Sequence, residues 1–124
     1  MRLMLSGKVH RARVTEANLD YEGSITVDAE LLTAADIVEY EQVHVLDVSN
    51  GARLTTYAIR GKPGGGEVCI NGAAAHLVRP GDIVIILAYR NVSDADAADW
   101  QPHLVYVDEQ NRIVRTSRDM VLVH

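Results

Sequence analysis

Turn signals interrupt this chain about every ten residues, and that rhythm confines it to folds assembled from short strands. Ser49-Asn50-Gly51, the run from Gly61 to Gly66, Arg79-Pro80-Gly81-Asp82 and Asp108-Glu109-Gln110-Asn111 each mark a turn or loop. Between them the apolar residues keep strand periodicity. Ile25 and Val27 alternate with Ser24, Thr26 and Asp28. Val43, Val45 and Asp47 alternate against His44, Leu46 and Val48, with both faces partly apolar. Asn50-Gly51 then gives the strongest hairpin signal, with a return strand from Leu54 to Ile59. Val68 and Ile70, Ile83 to Tyr89, His103 to Val107 and Ile113 to Arg115 supply further short strands. An extended first segment carries Val9, Ala12 and Val14 among polar residues. Three short helical pieces fit around these strands. One is capped at its N-terminus by Thr33, one runs from Ala73 to Val78, and one runs from Ser93 to Trp100. The pattern predicts a mainly β protein, a small barrel with minor helix, ending in a tail loosely held beyond about Arg118.

A single domain of 124 residues is large enough to bury a core. With no Phe and one Trp, that core must rest on Val, Ile, Leu and Ala. A net charge of -5 without a dense basic run argues against nucleic acid and anionic membrane as partners. The run Ile83 to Tyr89 is too short to span a bilayer, and Met1 to Leu5 is too short for a signal peptide. Cys69, the only cysteine, excludes an intrachain disulfide and fits a reducing cytoplasm. His10, His44, His76, His103 and His124 lack metal-ligand spacing, so no metal is expected. The Gly61 to Gly66 loop lacks the Gly-Lys-Ser/Thr end of a phosphate-binding loop, and no Gly-x-Ser-x-Gly elbow occurs.

The chemistry concentrates at Gly23-Ser24. A serine hydroxyl can attack the carbonyl of the residue before it and convert the amide to an ester. Elimination then cuts the chain and leaves dehydroalanine, which hydrolyses to a pyruvoyl ketone. Glycine leaves that carbonyl unshielded. A bare Gly-Ser pair is ordinarily only a turn, so its surroundings decide. Lys8-Val9-His10-Arg11 precedes Tyr21-Glu22-Gly23-Ser24. Asn50-Gly51, Arg53, Thr56-Tyr57-Ala58-Ile59, Asn71-Gly72-Ala73-Ala74-Ala75-His76 and Gly81-Asp82-Ile83-Val84-Ile85-Ile86 follow it. From about Leu3 to Arg115 this ordered set resembles the pyruvoyl-dependent aspartate 1-decarboxylases.

The resemblance implies a six-stranded double-psi β-barrel and a self-cut between Gly23 and Ser24, made either unaided or with a maturation factor. It implies a covalent pyruvoyl cofactor derived from Ser24, L-aspartate as substrate, and a homotetramer with sites between protomers. It makes Lys8 and Arg53 holders of the substrate carboxylates, although each alone reads as a solvated charge. Tyr57 becomes the proton donor to the substrate carbon, where a strand tyrosine otherwise packs. Thr56 and Asn71 become donors to the Gly23 carbonyl during processing, with Thr56 also at the substrate. Gly72, Ala73 and Ala74 let backbone N–H groups approach the substrate closely, or simply form a small-residue turn. Tyr21 and Glu22 hold the loop in register or act directly, and His10 and His76 line the site or serve ordinary polar roles. The alternative is a barrel that binds a ligand or protein and never matures.

Overall fold

The computed structural model describes residues 1–21 and 23–118. Glu22 and most of the tail expected to be loose, residues 119–124, lie outside the described residues. The strands are β1 (Arg2–Arg13), β2 (Glu16–Asn18), β3 (Ser24–Asp28), β4 (Gln42–Asp47), β5 (Arg53–Gly61), β6 (Val68–Asn71), β7 (Ile83–Val92), β8 (His103–Val107) and β9 (Ile113–Ser117). Two short helices, α1 (Ala29–Ala35) and α2 (Asp94–Ala97), and a 3-10 turn at Gly72–His76 complete the elements among the described residues.

Hydrogen bonding orders the strands β2-β6-β3-β5-β4-β7-β1-β8-β9. Since β1 and β2 are one bent run of chain, this order closes on itself. The Thr15 N–H donates to the Val68 carbonyl (2.8 Å) at the bend. Counting β1 and β2 as one strand, the ring has six members, and β8 and β9 form a hairpin added to the other edge of β1. Parallel pairs, β3 with β5 and β2 with β6, distinguish the ring from an up-and-down meander. The molecule is therefore mainly β with a small-barrel sheet, as expected.

Inside the ring Val9, Ile25, Val27, Val43, Val45, Ile70, Val84 and Ile86 are fully or almost fully buried, with Leu31 and Leu32 of α1. Each such side chain contributes about 1.5–3 kcal/mol on burial. The spacing of Val9 and Ala12, which breaks strict alternation, has a local cause. The β1–β7 register shifts between them, and Arg11 sits at φ 63. This bulge turns both residues inward, where each is 0% exposed.

The Asn50-Gly51 hairpin forms where expected, with Gly51 at φ +80 between β4 and β5. The first helix lies earlier than the pattern around Thr33 predicted. Asp28 is its N-cap, accepting from the Glu30 N–H (2.8 Å), and Asp36 ends it in the left-handed conformation. Thr33, read as a cap, is inside the helix. Asp28 also pins the glycine-rich loop. Its carboxylate accepts from the N–H groups of Gly64 (3.0 Å) and Gly66 (2.7 Å). Ser93 caps α2 as expected, accepting from the Asp96 N–H.

Candidate active site

Ser24 opens β3, which runs between β5 and β6. In the antiparallel β3–β6 pair, Ser24 stands directly opposite Asn71, and Thr26 opposite Cys69. Directly opposed strand residues share a face, as do residues two apart. Ser24, Thr26, Cys69 and Asn71 therefore form a two-by-two block on one side of the sheet. Three of the four are buried, Ser24 at 5% exposed, Cys69 at 5% and Asn71 at 6%, and Thr26 is half-buried. Asn71 Nδ2 donates to both Ser24 Oγ (3.0 Å) and Thr26 Oγ1 (3.1 Å). Both amide hydrogens thus address hydroxyls in the intact chain. The contact is with the Ser24 hydroxyl itself, where the sequence suggested the neighbouring carbonyl.

Directly after Asn71 the backbone enters the left-handed region, with Gly72 at φ +72. A Cβ on Gly72 would stand 2.6 Å from the Gly23 nitrogen, 2.7 Å from its Cα and 2.8 Å from the Tyr21 carbonyl oxygen. Only glycine lets this turn seat against the Tyr21 to Gly23 segment. Gly23 itself is exposed, and a Cβ there would meet nothing within 4 Å. Gly23 is accordingly open where a side chain would stand, while Ser24 is enclosed. Ala73 is exposed, and Ala74 is half-buried against the core.

Tyr57 joins this group through β5. Ile25 pairs with Ala58 in the parallel β3–β5 register, so Ser24 and Tyr57, each one residue earlier, are level on adjacent strands. Tyr57 is half-buried and opposite Gln42. Thr56, opposite Val43, is half-buried beside it. Arg53 lies four residues before Tyr57 on the same strand, roughly 13 Å away at strand rise. It is exposed and lines a surface hollow of about 210 Å³ with His44, Leu46, Leu54 and Thr55. Lys8 stands in a row running from β1 through Leu87 and His44 to Thr55. Partial burial lowers its pKa from the ordinary lysine value. A single protomer thus gathers Ser24, Asn71, Gly72 and Tyr57 into one cluster, with Lys8 and Arg53 further along the sheet.

His10 is half-buried with its ring edge-on to Tyr106 (centroids 5.6 Å apart) and its Nδ1 without a hydrogen-bond partner. Burial, then Lys8 and Arg11, hold its pKa below the usual histidine value. His76 lies at a separate hollow of about 520 Å³ beside the Ser49-Asn50-Gly51 turn, Arg79 and Asp82. Among the described residues no cluster of three or more His, Cys, Asp or Glu side chains is placed to hold a metal, and no helix is long and apolar enough to cross a membrane. Sequence reasoning passed over Thr26 and Cys69. Their signal was position: each is two residues from a named site residue along a strand, hence on its face.

A pyruvoyl group fits this position. It would replace Ser24 at the head of β3, where Asn71 and Thr26 offer polar partners and the Gly72 turn leaves no room for a larger neighbour.

The aspartate decarboxylase family model matches residues 1–114. The aspartate 1-decarboxylase of Corynebacterium efficiens is 55% identical over 119 residues, 96% of this chain and 88% of that protein. That of Mycolicibacterium smegmatis is 56% identical over 118 residues, covering 95% and 87%. That of Myxococcus xanthus is 54% identical over 113 residues, covering 91% and 87%. With a family match over nearly its whole length and relatives above half identity, this chain belongs to the aspartate decarboxylase family.

Proposed function

We propose that the chain cuts itself between Gly23 and Ser24 and then decarboxylates L-aspartate to β-alanine and CO2, supplying pantothenate and coenzyme A synthesis. The observation that carries this reading is the enclosed Ser24 hydroxyl under Asn71 Nδ2, beside an open Gly23. In the cut, a bond forms from Ser24 Oγ to the Gly23 carbonyl carbon and the C–N bond breaks, with the hydroxyl proton passing to the freed amine. Elimination releases the Gly23 carboxylate and leaves dehydroalanine at residue 24. Water then enters and ammonia leaves, giving the pyruvoyl group. Asn71 stabilises charge growing on Oγ as its proton departs. Thr56 is the hydroxyl proposed to polarise the Gly23 carbonyl.

In the matured form the pyruvoyl ketone serves as the electron sink for decarboxylation, making a separate cofactor unnecessary. Arg53 grips one substrate carboxylate through its planar fork and Lys8 offsets the other as a point charge. Lys8 is suited to this because partial burial has already removed part of its hydration. The small Gly72-Ala73-Ala74 turn lets the substrate lie against backbone N–H groups. Tyr57, level with Ser24, delivers a proton to the carbon from which CO2 has left. The separation of Arg53 from the Ser24 level, about 13 Å along one strand, supports an assembly in which cations and Ser24 come from different copies, consistent with a homotetramer.

Intact mass spectrometry tests the reading. Purified protein should resolve into residues 1–23 and a pyruvoyl-headed 24–124, and Ser24→Ala should stay whole and inactive. A chain that remains full-length after prolonged warming is instead a non-maturing barrel.

A further inference from the structure

We infer that Cys69 is a positioning residue for self-processing: its thiol fixes the orientation of the Asn71 carboxamide and so determines which atom faces Ser24. The inference rests on the self-cutting proposed above. Cys69 Sγ donates to Asn71 Oδ1 at 3.3 Å, while Asn71 Nδ2 spans Ser24 Oγ and Thr26 Oγ1. A carboxamide can rotate by half a turn and exchange its oxygen and nitrogen. The Thr26 hydroxyl does not choose between these orientations, because a hydroxyl both donates and accepts. The thiol does choose. Weak in both roles, it still carries its hydrogen and gives it to Oδ1 (3.3 Å) ahead of the more distant Ile70 carbonyl (3.9 Å), so it favours Oδ1 over Nδ2 as its neighbour. Burial, with Glu16 and Glu67 nearby, pushes the thiol pKa up to about 11, which keeps the hydrogen on sulfur.

The chosen orientation matters for the attack. As found, Ser24 Oγ receives an N–H, which steadies negative charge as the hydroxyl proton leaves. With the amide reversed, Oδ1 would face Oγ. The serine would then donate its proton to a good acceptor, and charge growing on Oγ would meet the amide oxygen. Thr26 takes the second amide hydrogen, so the block has a defined partner for every polar atom of Asn71.

Freshly purified precursor, timed by intact mass for appearance of residues 24–124, tests this with three substitutions. Cys69→Ala and Cys69→Val remove the donor, one leaving space and the other filling it. Both should slow cleavage by about twofold to tenfold, the range one hydrogen bond is worth. Cys69→Ser restores a donor without restoring the sulfur's packing, and should cleave near the wild-type rate even where its melting temperature falls alongside that of Cys69→Ala. Cleavage of the folded Val variant at the wild-type rate, or a Ser variant as slow as Val, would overturn the inference while leaving self-cutting intact. A wild-type chain that never cuts would overturn both.

Discussion

Gly72 is packed so closely beneath Gly23 that a methyl group on it would stand 2.6 Å from the Gly23 nitrogen. The reverse does not hold, since a methyl on Gly23 would meet nothing within 4 Å. Two glycines that meet at this contact thus have different reasons to be glycine. Gly72→Ala should lose about 1–3 kcal/mol from the left-handed backbone and the clash together. Gly23→Ala should melt close to wild type when both are made on the uncut Ser24→Ala background. Equal melting temperatures for the two would remove the steric account of Gly72. Slow cutting of a stable Gly23→Ala chain, on the wild-type Ser24 background, would place that glycine's role in access to its carbonyl.

Tyr57→Phe should still mature, because the phenol is not part of the block around Ser24 Oγ. Its turnover should fall by roughly 10²–10⁴-fold, the usual worth of a positioned general acid. Stopped-time CO2 release from fully matured protein makes the measurement, and an unchanged kcat would return Tyr57 to packing.

Arg53 is exposed in the protomer, which limits what its loss can cost before substrate binds. A hydrogen bond to a charged group is worth about 1.5–3 kcal/mol, or about 10–150-fold in kcat/KM. Matured Arg53→Ala should lose that much toward aspartate without a change in melting temperature. Glutamate, with one more methylene, should be a poor substrate for the wild type. Comparable rates for both amino acids would defeat the two-cation reading.

Asp47 should make stability depend on pH. It is 2% exposed, with Oδ1 accepting from the N–H groups of Ser49 and Asn50. Its Oδ2 has no donor while both it and Asp82 are ionised, and one proton between the two carboxyls supplies that donor. Burial and this neighbour raise the Asp47 pKa to about 6. Asp82 moves the other way, held low by its bonds to Asp47 and to the Arg79 N–H. An unfolded aspartate titrates near about 3.9. Folding therefore takes up a proton between about pH 4 and 6, and this component of stability declines as pH rises through that window. Asp47→Asn carries the hydrogen permanently. Urea unfolding should show its stability gaining on wild type from about pH 4.5 to 7.5, and a constant difference would rule the shared proton out.

The strands and the Asn50-Gly51 turn were legible because alternation and turn chemistry are local. Helix α1 was misplaced because Thr33 has cap chemistry, whereas the cap that forms, Asp28, was read as the end of a strand. Asp28 both ends β3 and caps α1, and its carboxylate also holds Gly64 and Gly66, distant in sequence. Val9 and Ala12 fit no simple period because a bulge at Arg11 intervenes. Within the site, Ser24, Asn71 and Gly72 were visible as motif residues. Cys69 was not, since it appeared as a lone thiol without metal partners. Only the β3–β6 register sets it against Thr26 and two residues from Asn71 on the same face.

The ring closure through β1 and β2 changes what a cut at Gly23 would mean for unfolding. The piece before the cut contains all of β1, held between β7 and β8, and all of β2, paired with β6. Trp100 Nε1 also donates to the Leu5 carbonyl at 2.6 Å. Once the peptide bond is gone, noncovalent contacts of this kind retain the short piece. Unfolding then changes molecularity, from one chain losing its shape to two chains parting. The midpoint of the matured protein should rise with its concentration, while that of Ser24→Ala should be less sensitive to dilution.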